Sequence, residues 1–195
     1  MSAETAAAKA KLRDQLQGEV ERHTLAELAN DSEAICRRIA EQTLWRKAGC
    51  VLFFMPLAGE PDLRPLMISA LAEDKTVGLP RYSAQAGEYV VCQIRCPDEL
   101  LAGKYGVLEP ALDCPEIELN KLDFALVPGI GFTLEGCRLG RGKGYFDRLL
   151  SQMRAWKCGA AFDWQVTAGI PAEKHDIRVD SIVTPTRWHV VGQER

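Results

Sequence analysis

Residues 4–48 contain no proline and a single glycine, Gly18, and their apolar side chains recur every three to four positions: Leu12, Leu16 and Val20, then Leu25, Leu28, Ile35 and Ile39. That spacing predicts two helices. Residues 50–55 break the pattern with a continuous apolar run ended by Pro56, the signature of a strand buried on both faces, as in a parallel sheet. A helix over 63–73, a short strand over 76–79 and a strand over 89–94 follow, and residues 122–127, apolar apart from Asp123, predict the next buried strand, closed by Pro128-Gly129. Phe146, Leu149, Leu150 and Met153 then fall at i, i+3, i+4 and i+7, which predicts one apolar helical face. Residues 160–166 and 181–184 are further strand candidates. The alternation predicts an α/β fold: one three-layer domain over residues 1–195, with a largely parallel sheet flanked by helices.

Composition narrows the class. With 195 residues, 47% hydrophobic and 26% charged, the chain can bury a substantial core, which excludes a disordered, collagen-like or coiled-coil protein. A net charge of -3 provides no global field for nucleic acid or an anionic membrane, so any anion must be caught by local charge. Seven scattered cysteines without a C-x-x-C pair argue for a reducing compartment, and against a disulfide framework or a structural zinc site. The first residues lack the apolar core of a signal peptide, and the most apolar stretch, 50–58, is far short of the roughly 20 residues that span a bilayer. The expectation is a cytoplasmic protein.

Local charge appears in one place. Between Arg138 and Arg148 four cations (Arg138, Arg141, Lys143, Arg148) face one anion, Asp147. Gly140, Gly142 and Gly144 are interleaved with them, so the backbone can turn sharply and aim its N–H groups at an anion, with a helix start behind it. A strand, a basic glycine loop and a helix start therefore occur in the order a phosphate site needs. The loop is not a Walker A motif, since Gly144 follows Lys143 and no glycine lies five positions before Gly142; nor is it G-x-G-x-x-G, because the third glycine comes one residue early. The alternative is a surface hairpin with solvated charges.

The segment from Arg138 to Asp147 resembles the signature of the 5-formyltetrahydrofolate cyclo-ligase family. The likeness extends to Lys9-x-x-Leu12-Arg13, to Pro56-Leu57-Ala58-Gly59-Glu60, to Gly106-Val-Leu-Glu109-Pro110, to Val127-Pro-Gly-Ile-Gly-Phe132, and to His175-Asp176 with Asp180 and Thr184. Phe146 stands where a second tyrosine is usual. The resemblance implies an ATP- and Mg2+-dependent ligase that closes 5-formyltetrahydrofolate to 5,10-methenyltetrahydrofolate, releasing ADP and phosphate. It further implies that Lys9, Ala10, Lys11, Leu12 and Arg13, together with Arg138, Leu139, Gly140, Arg141, Gly142, Lys143, Gly144, Tyr145 and Phe146, contact ATP. The resemblance also implies that Arg141, Gly142, Lys143, Gly144 and Tyr145 meet the folate, with Met55, Glu60 and Tyr105. By the same resemblance Asp147 and Asp176 are expected to associate with the magnesium ion, and Lys143 and Arg141 to carry the catalytic charge. The expected partners are small molecules only, and the protein is expected to be a monomer.

This chemistry needs no protein nucleophile: phosphorylation turns the formyl oxygen into a leaving group, and the substrate's own N10 displaces it. A chain with three histidines and no G-x-S-x-G motif is consistent with that. What the protein must supply is positioning and cations. Several of these residues have plainer explanations: Asp147 can serve a helix dipole, Asp176 and His175 can be surface groups, Lys9 and Arg13 a solvated helix face, Met55 core packing, and Glu109-Pro110 a turn. Met55 and Glu60 have independent support, since Met55 and the glycine loop each follow a buried strand and ligands collect outside the carboxyl ends of such strands; Glu60 suits the role of acceptor for the donor edge of a pterin. Other functions also fit an α/β fold: a sugar-phosphate isomerase or acyl-CoA transferase working through a carboxylate, or a nucleotide-binding sensor without turnover. RNA binding is the weakest, with a single short basic segment and no RNP-type aromatics.

Overall fold

The two buried strands anticipated from the sequence lie side by side at the middle of a sheet. The computed structural model describes residues 3–103, 106–173 and 176–193. Its helices are α1 (Ala3–Val20), α2 (Leu25–Ala40), α3 (Thr43–Lys47), α4 (Arg64–Ala72) and α5 (Tyr145–Ser151). Its strands are β1 (Cys50–Leu52), β2 (Thr76–Ser83), β3 (Glu88–Ile94), β4 (Leu100–Ala102), β5 (Leu108–Pro110), β6 (Phe124–Val127), β7 (Gly131–Phe132), β8 (Arg138–Leu139), β9 (Trp156–Ala160), β10 (Ser181–Val183) and β11 (Trp188–Val190). The main sheet has the order β11-β10-β9-β6-β1-β2-β3. Its five inner strands are parallel, and β3 and β11 close the two edges antiparallel.

The run over 50–55 is apolar throughout because both faces of the sheet are covered. Val51, Phe53, Phe124 and Leu126 pack with Ile35 and Ile39 of α2, Trp45 of α3 and Leu66 and Met67 of α4. Leu52, Ala125 and Val127 face the other way, against Leu149 and Leu150 of α5 and Met153. This is the expected three-layer α/β arrangement.

Several element boundaries differ from the sequence expectation. Residues 4–48 form three helices rather than two. Thr24 and Glu27 cap each other reciprocally at the start of α2 (Glu27 N–H to Thr24 Oγ1 3.2 Å, Thr24 N–H to Glu27 Oε2 2.8 Å), a stop signal at the end of α1 and a start signal for α2. The second break lets Trp45 turn onto the sheet, edge-on to Phe53 and Phe124. The strand expected over 160–166 is displaced: β9 ends at Ala160 and Asp163–Gln165 form a 3-10 turn. There the Phe162 N–H donates to Gln165 Oε1 at 2.8 Å, so a side chain replaces a ladder partner. The helix after the glycine loop is also shorter than its pattern, and Met153 is buried just beyond its end.

Candidate active site

Leaving the carboxyl end of β1, the chain turns to β2 on one side; β6 flanks β1 on the other. The strand order therefore reverses at β1, and a crevice opens outside the carboxyl ends of β1 and β6. It holds a cavity of about 380 Å³ lined by Met55 and Glu60 after β1, by Pro128 and Gly129 after β6, and by the whole glycine loop. The crevice anticipated from the two buried runs is there. Gln165 ties its walls together: the amide, 2% exposed, donates to Gly59 O at 3.0 Å on one side and to Ile130 O at 3.2 Å on the other.

One end of the cavity is cationic. The β7–β8 ribbon (Gly131↔Leu139, Phe132↔Arg138) carries the chain out of the sheet and delivers Arg138 and the loop to the crevice. Gly142 and Gly144 have φ of 92° and 64°, in the left-handed region where a side chain would be strained, so the tight reversal before α5 depends on glycine. Arg138 is 7% exposed; it donates to Asp147 Oδ1 at 2.7 Å and to Pro128 O at 3.3 Å, and it lies 6.0 Å from the centre of the Phe146 ring. Phe146 thus packs on a guanidinium and on the core, contacts a ring makes without a hydroxyl. Arg141 reaches across the mouth to Glu60 Oε1 (3.2 Å) and Ala58 O (3.1 Å). Lys143 lines the cavity from an exposed position.

Helix α1 covers this end. Lys9, only 6% exposed, pairs with Asp176 Oδ2 at 2.6 Å and Glu173 Oε2 at 3.4 Å, and Arg13 donates to Gly140 O at 2.8 Å. A solvated helix face is therefore the wrong description of this pair. The residues between them depart from the expectation: Ala10 and Lys11 are exposed and Leu12 packs with Leu16 and Leu139, so none of the three lines the cavity. The reason is helical period, which turns only positions 9 and 13 inward. Leu139, Gly140, Gly142, Gly144, Tyr145 and Phe146 all line it.

Asp147 and Asp176 both face the cavity, and the Ile177 N–H donates to Asp147 Oδ1 at 3.4 Å, docking the two segments together. α5 has seven residues, and Asp147 is engaged by a buried arginine, which is a stronger attachment than a helix dipole alone. Among the described residues no group of three protein donors gathers for a metal. Two hard carboxylates lining the same cavity as the cationic loop suit Mg2+, which takes most of its ligands from phosphate and water.

The other end is apolar and aromatic. Phe54, Met55, Leu57, Pro80, Tyr89 and Leu108 line it, and the rings of Tyr82, Tyr89 and Tyr145 stand edge to face with centroids 5.4–6.2 Å apart. Met55 is half-buried, and it packs against the core and borders the cavity at once. Glu60 stands between the ends. Its side chain is 5% exposed, it accepts from Leu57 N–H at 2.9 Å as well as from Arg141, and burial raises its pKa against those bonds. Tyr105 and His175 lie outside the described residues.

Pattern reading missed Tyr89, Glu173 and Gln165, and took Glu109 for part of a turn. Tyr89 carried a signal, an aromatic opening a strand; the others are single polar residues in loops or at a hairpin whose role exists only through distant partners.

Residues 5–185 match the model of the 5-formyltetrahydrofolate cyclo-ligase family. The chain is 32% identical to the 5-formyltetrahydrofolate cyclo-ligase of Escherichia coli (strain K12) over 145 residues, covering 72% of this chain and 80% of that protein. It is 24% identical to the Mus musculus 5-formyltetrahydrofolate cyclo-ligase over 193 residues, 90% and 93% of the two chains. The NMR structure of Aquifex aeolicus 5,10-methenyltetrahydrofolate synthetase superposes with a TM-score of 0.86 at 32% identity, over 96% of this chain and 94% of that one.

Proposed function

The chain belongs to the 5-formyltetrahydrofolate cyclo-ligase family and converts 5-formyltetrahydrofolate to 5,10-methenyltetrahydrofolate with ATP; from that premise we propose how its cavity divides the work. The triphosphate lies at the cationic end, among Arg13, Arg138, Arg141 and Lys143, and the pteridine lies at the aromatic end with Met55, Glu60, Tyr89 and Tyr145. The observation that carries this division is that the two ends share one cavity, with Arg141 and Glu60 in contact at their border.

The formyl oxygen attacks the terminal phosphorus and ADP leaves. N10 then attacks the activated carbon and loses its proton, and phosphate departs with the former formyl oxygen. Arg141 and Lys143 hold the terminal phosphoryl group in line and offset the charge that develops on its oxygens. Tyr89 and Tyr145 hold the ring and keep water from the activated formyl group. Asp147 and Asp176 would hold Mg2+, which supplies further charge neutralisation on the phosphates when bound. Arg138 and Lys9 keep those two carboxylates aimed at the cavity. We take the working unit to be a monomer and the compartment to be the cytoplasm, the latter in keeping with seven cysteines all in the free form.

Mixing the protein with 5-formyltetrahydrofolate and Mg-ATP and following methenyl product by absorbance against ADP tests this. One ADP per methenyl product, and none without the folate, is expected. ADP formed without folate would instead describe a nucleotide hydrolase.

A further inference from the structure

Glu109 has a part in the cavity that its sequence context, a Glu-Pro pair at a turn, does not suggest. It sits on β5, opposite Leu101 of β4, and lines the aromatic end of the cavity. The residue is 8% exposed. Its aliphatic part lies against Gly103, where a Cβ would come within 2.5 Å of Glu109 Cγ, so the hairpin is built to let this side chain through. Oε2 accepts from the Tyr82 N–H at 3.2 Å, which anchors the carboxylate to β2 beside the tyrosine cluster.

The second oxygen, Oε1, is shielded from solvent and has no hydrogen-bond partner among the described residues. A buried carboxylate oxygen left without a donor is costly and rare in a folded protein. Nearby Glu60 differs in this respect, with each of its oxygens already accepting a hydrogen bond. The hairpin therefore holds an unused acceptor on a residue that lines the part of the cavity where the ligand's ring is expected. The terminal torsion of a glutamate is broad, so the carboxylate can turn toward an incoming donor without a change of rotamer.

We propose that Glu109 is a specificity-determining residue that accepts a hydrogen bond from an N–H on the donor edge of the bound pteridine. This rests on the division of the cavity proposed above and adds a contact to it. A ligand lacking that donor would leave the oxygen unpaired and be rejected.

The test uses the full-length protein with Glu109→Ala and the isosteric Glu109→Gln. KM for 5-formyltetrahydrofolate and for ATP, kcat, the dissociation constant of tetrahydrofolate in the absence of ATP, and the melting temperature are measured for each. Expected for Glu109→Ala is a rise in KM for 5-formyltetrahydrofolate and in the tetrahydrofolate dissociation constant by the same factor, about 10- to 100-fold, with KM for ATP within about twofold of native. Glu109→Gln, which keeps an acceptor oxygen, falls between the two and serves as the readout if the alanine variant does not fold. Folate affinity within about twofold of native in a folded variant overturns the proposal, as does an equal rise in both KM values, the mark of a purely structural hairpin contact. Failure of the cavity division itself would look different: native protein would then bind tetrahydrofolate without protection of the tyrosine cluster, whatever residue 109 is.

Discussion

The two ends of the cavity are built in opposite ways. The cationic end comes largely from one stretch of chain, Arg138 to Asp147, with α1 laid over it through Lys9 and Arg13. The aromatic end is assembled from the exit of β1, from β2 and β3, from the β4–β5 hairpin and from the first residue of α5. Charge for holding a triphosphate can be packed into ten residues because a single loop suffices to present it. A flat ring needs walls on several sides, and walls come from separate elements. The difference separates the expected effects of substitution as well: at the cationic end they should fall on turnover, at the aromatic end on affinity for one substrate.

Lys143→Ala should give the largest effect. The side chain is exposed and absent from the core, so the melting temperature should stay unchanged. Loss of a cation facing charge that develops during phosphoryl transfer should lower kcat by about 100- to 1,000-fold. Steady-state kinetics alongside a thermal melt would read both. Native kcat in this variant would remove Lys143 from the reaction and leave Arg141 as the sole candidate at that position.

At the aromatic end, Tyr89→Ala removes one of three edge-to-face rings. A ring of this kind contributes on the order of 1–2 kcal/mol to a stacked ligand, so KM for 5-formyltetrahydrofolate should rise about tenfold while KM for ATP stays put. Tyr89→Phe should restore most of the loss if the ring face does the holding. A rise in KM for ATP instead would reverse the assignment of the two ends.

The same contrast explains how much could be read from the chain. The central strands were legible because residues 50–55 and 124–127 are apolar at every position, a pattern that burial on both faces imposes. The cationic loop was legible because its charges and glycines are neighbours in sequence. The placement of Lys9 on Asp176 was not, since it joins residues 167 positions apart and neither segment is unusual by itself. Ala10, Lys11 and Leu12 show the converse: a contiguous run was expected at the cavity, and helical period brings only its two ends there. Gln165 was read as strand because most of residues 160–166 (Ala160, Ala161, Phe162, Trp164, Val166) are apolar, whereas a buried amide with acceptors on two loops outweighs strand propensity. Glu109 and Tyr89 acquire meaning only when the hairpin and β3 are brought beside α5.

The smallest expected effect lies at the contact that joins the ends. Glu60 is buried and Arg141, its partner, is 37% exposed, so water screens the guanidinium's pull while desolvation acts on the carboxyl in full. The desolvation prevails, and the folded-state pKa of Glu60 is raised from its ordinary value near 4.5. An acid whose pKa is raised by folding binds its proton more tightly in the folded chain. Its contribution to stability is complete below the ordinary carboxylate range and is lost as pH rises through the raised value. Glu60→Gln cannot ionise and escapes that loss. Melting temperatures of the two proteins, measured from about pH 4 to pH 8, should therefore diverge in favour of the glutamine variant as pH rises, with the change beginning above the ordinary glutamate pKa. Divergence in the opposite sense would mean that Arg141 holds the charged carboxylate better than water does, making the bridge between the two ends a stabilising strut rather than a contact kept for the ligands.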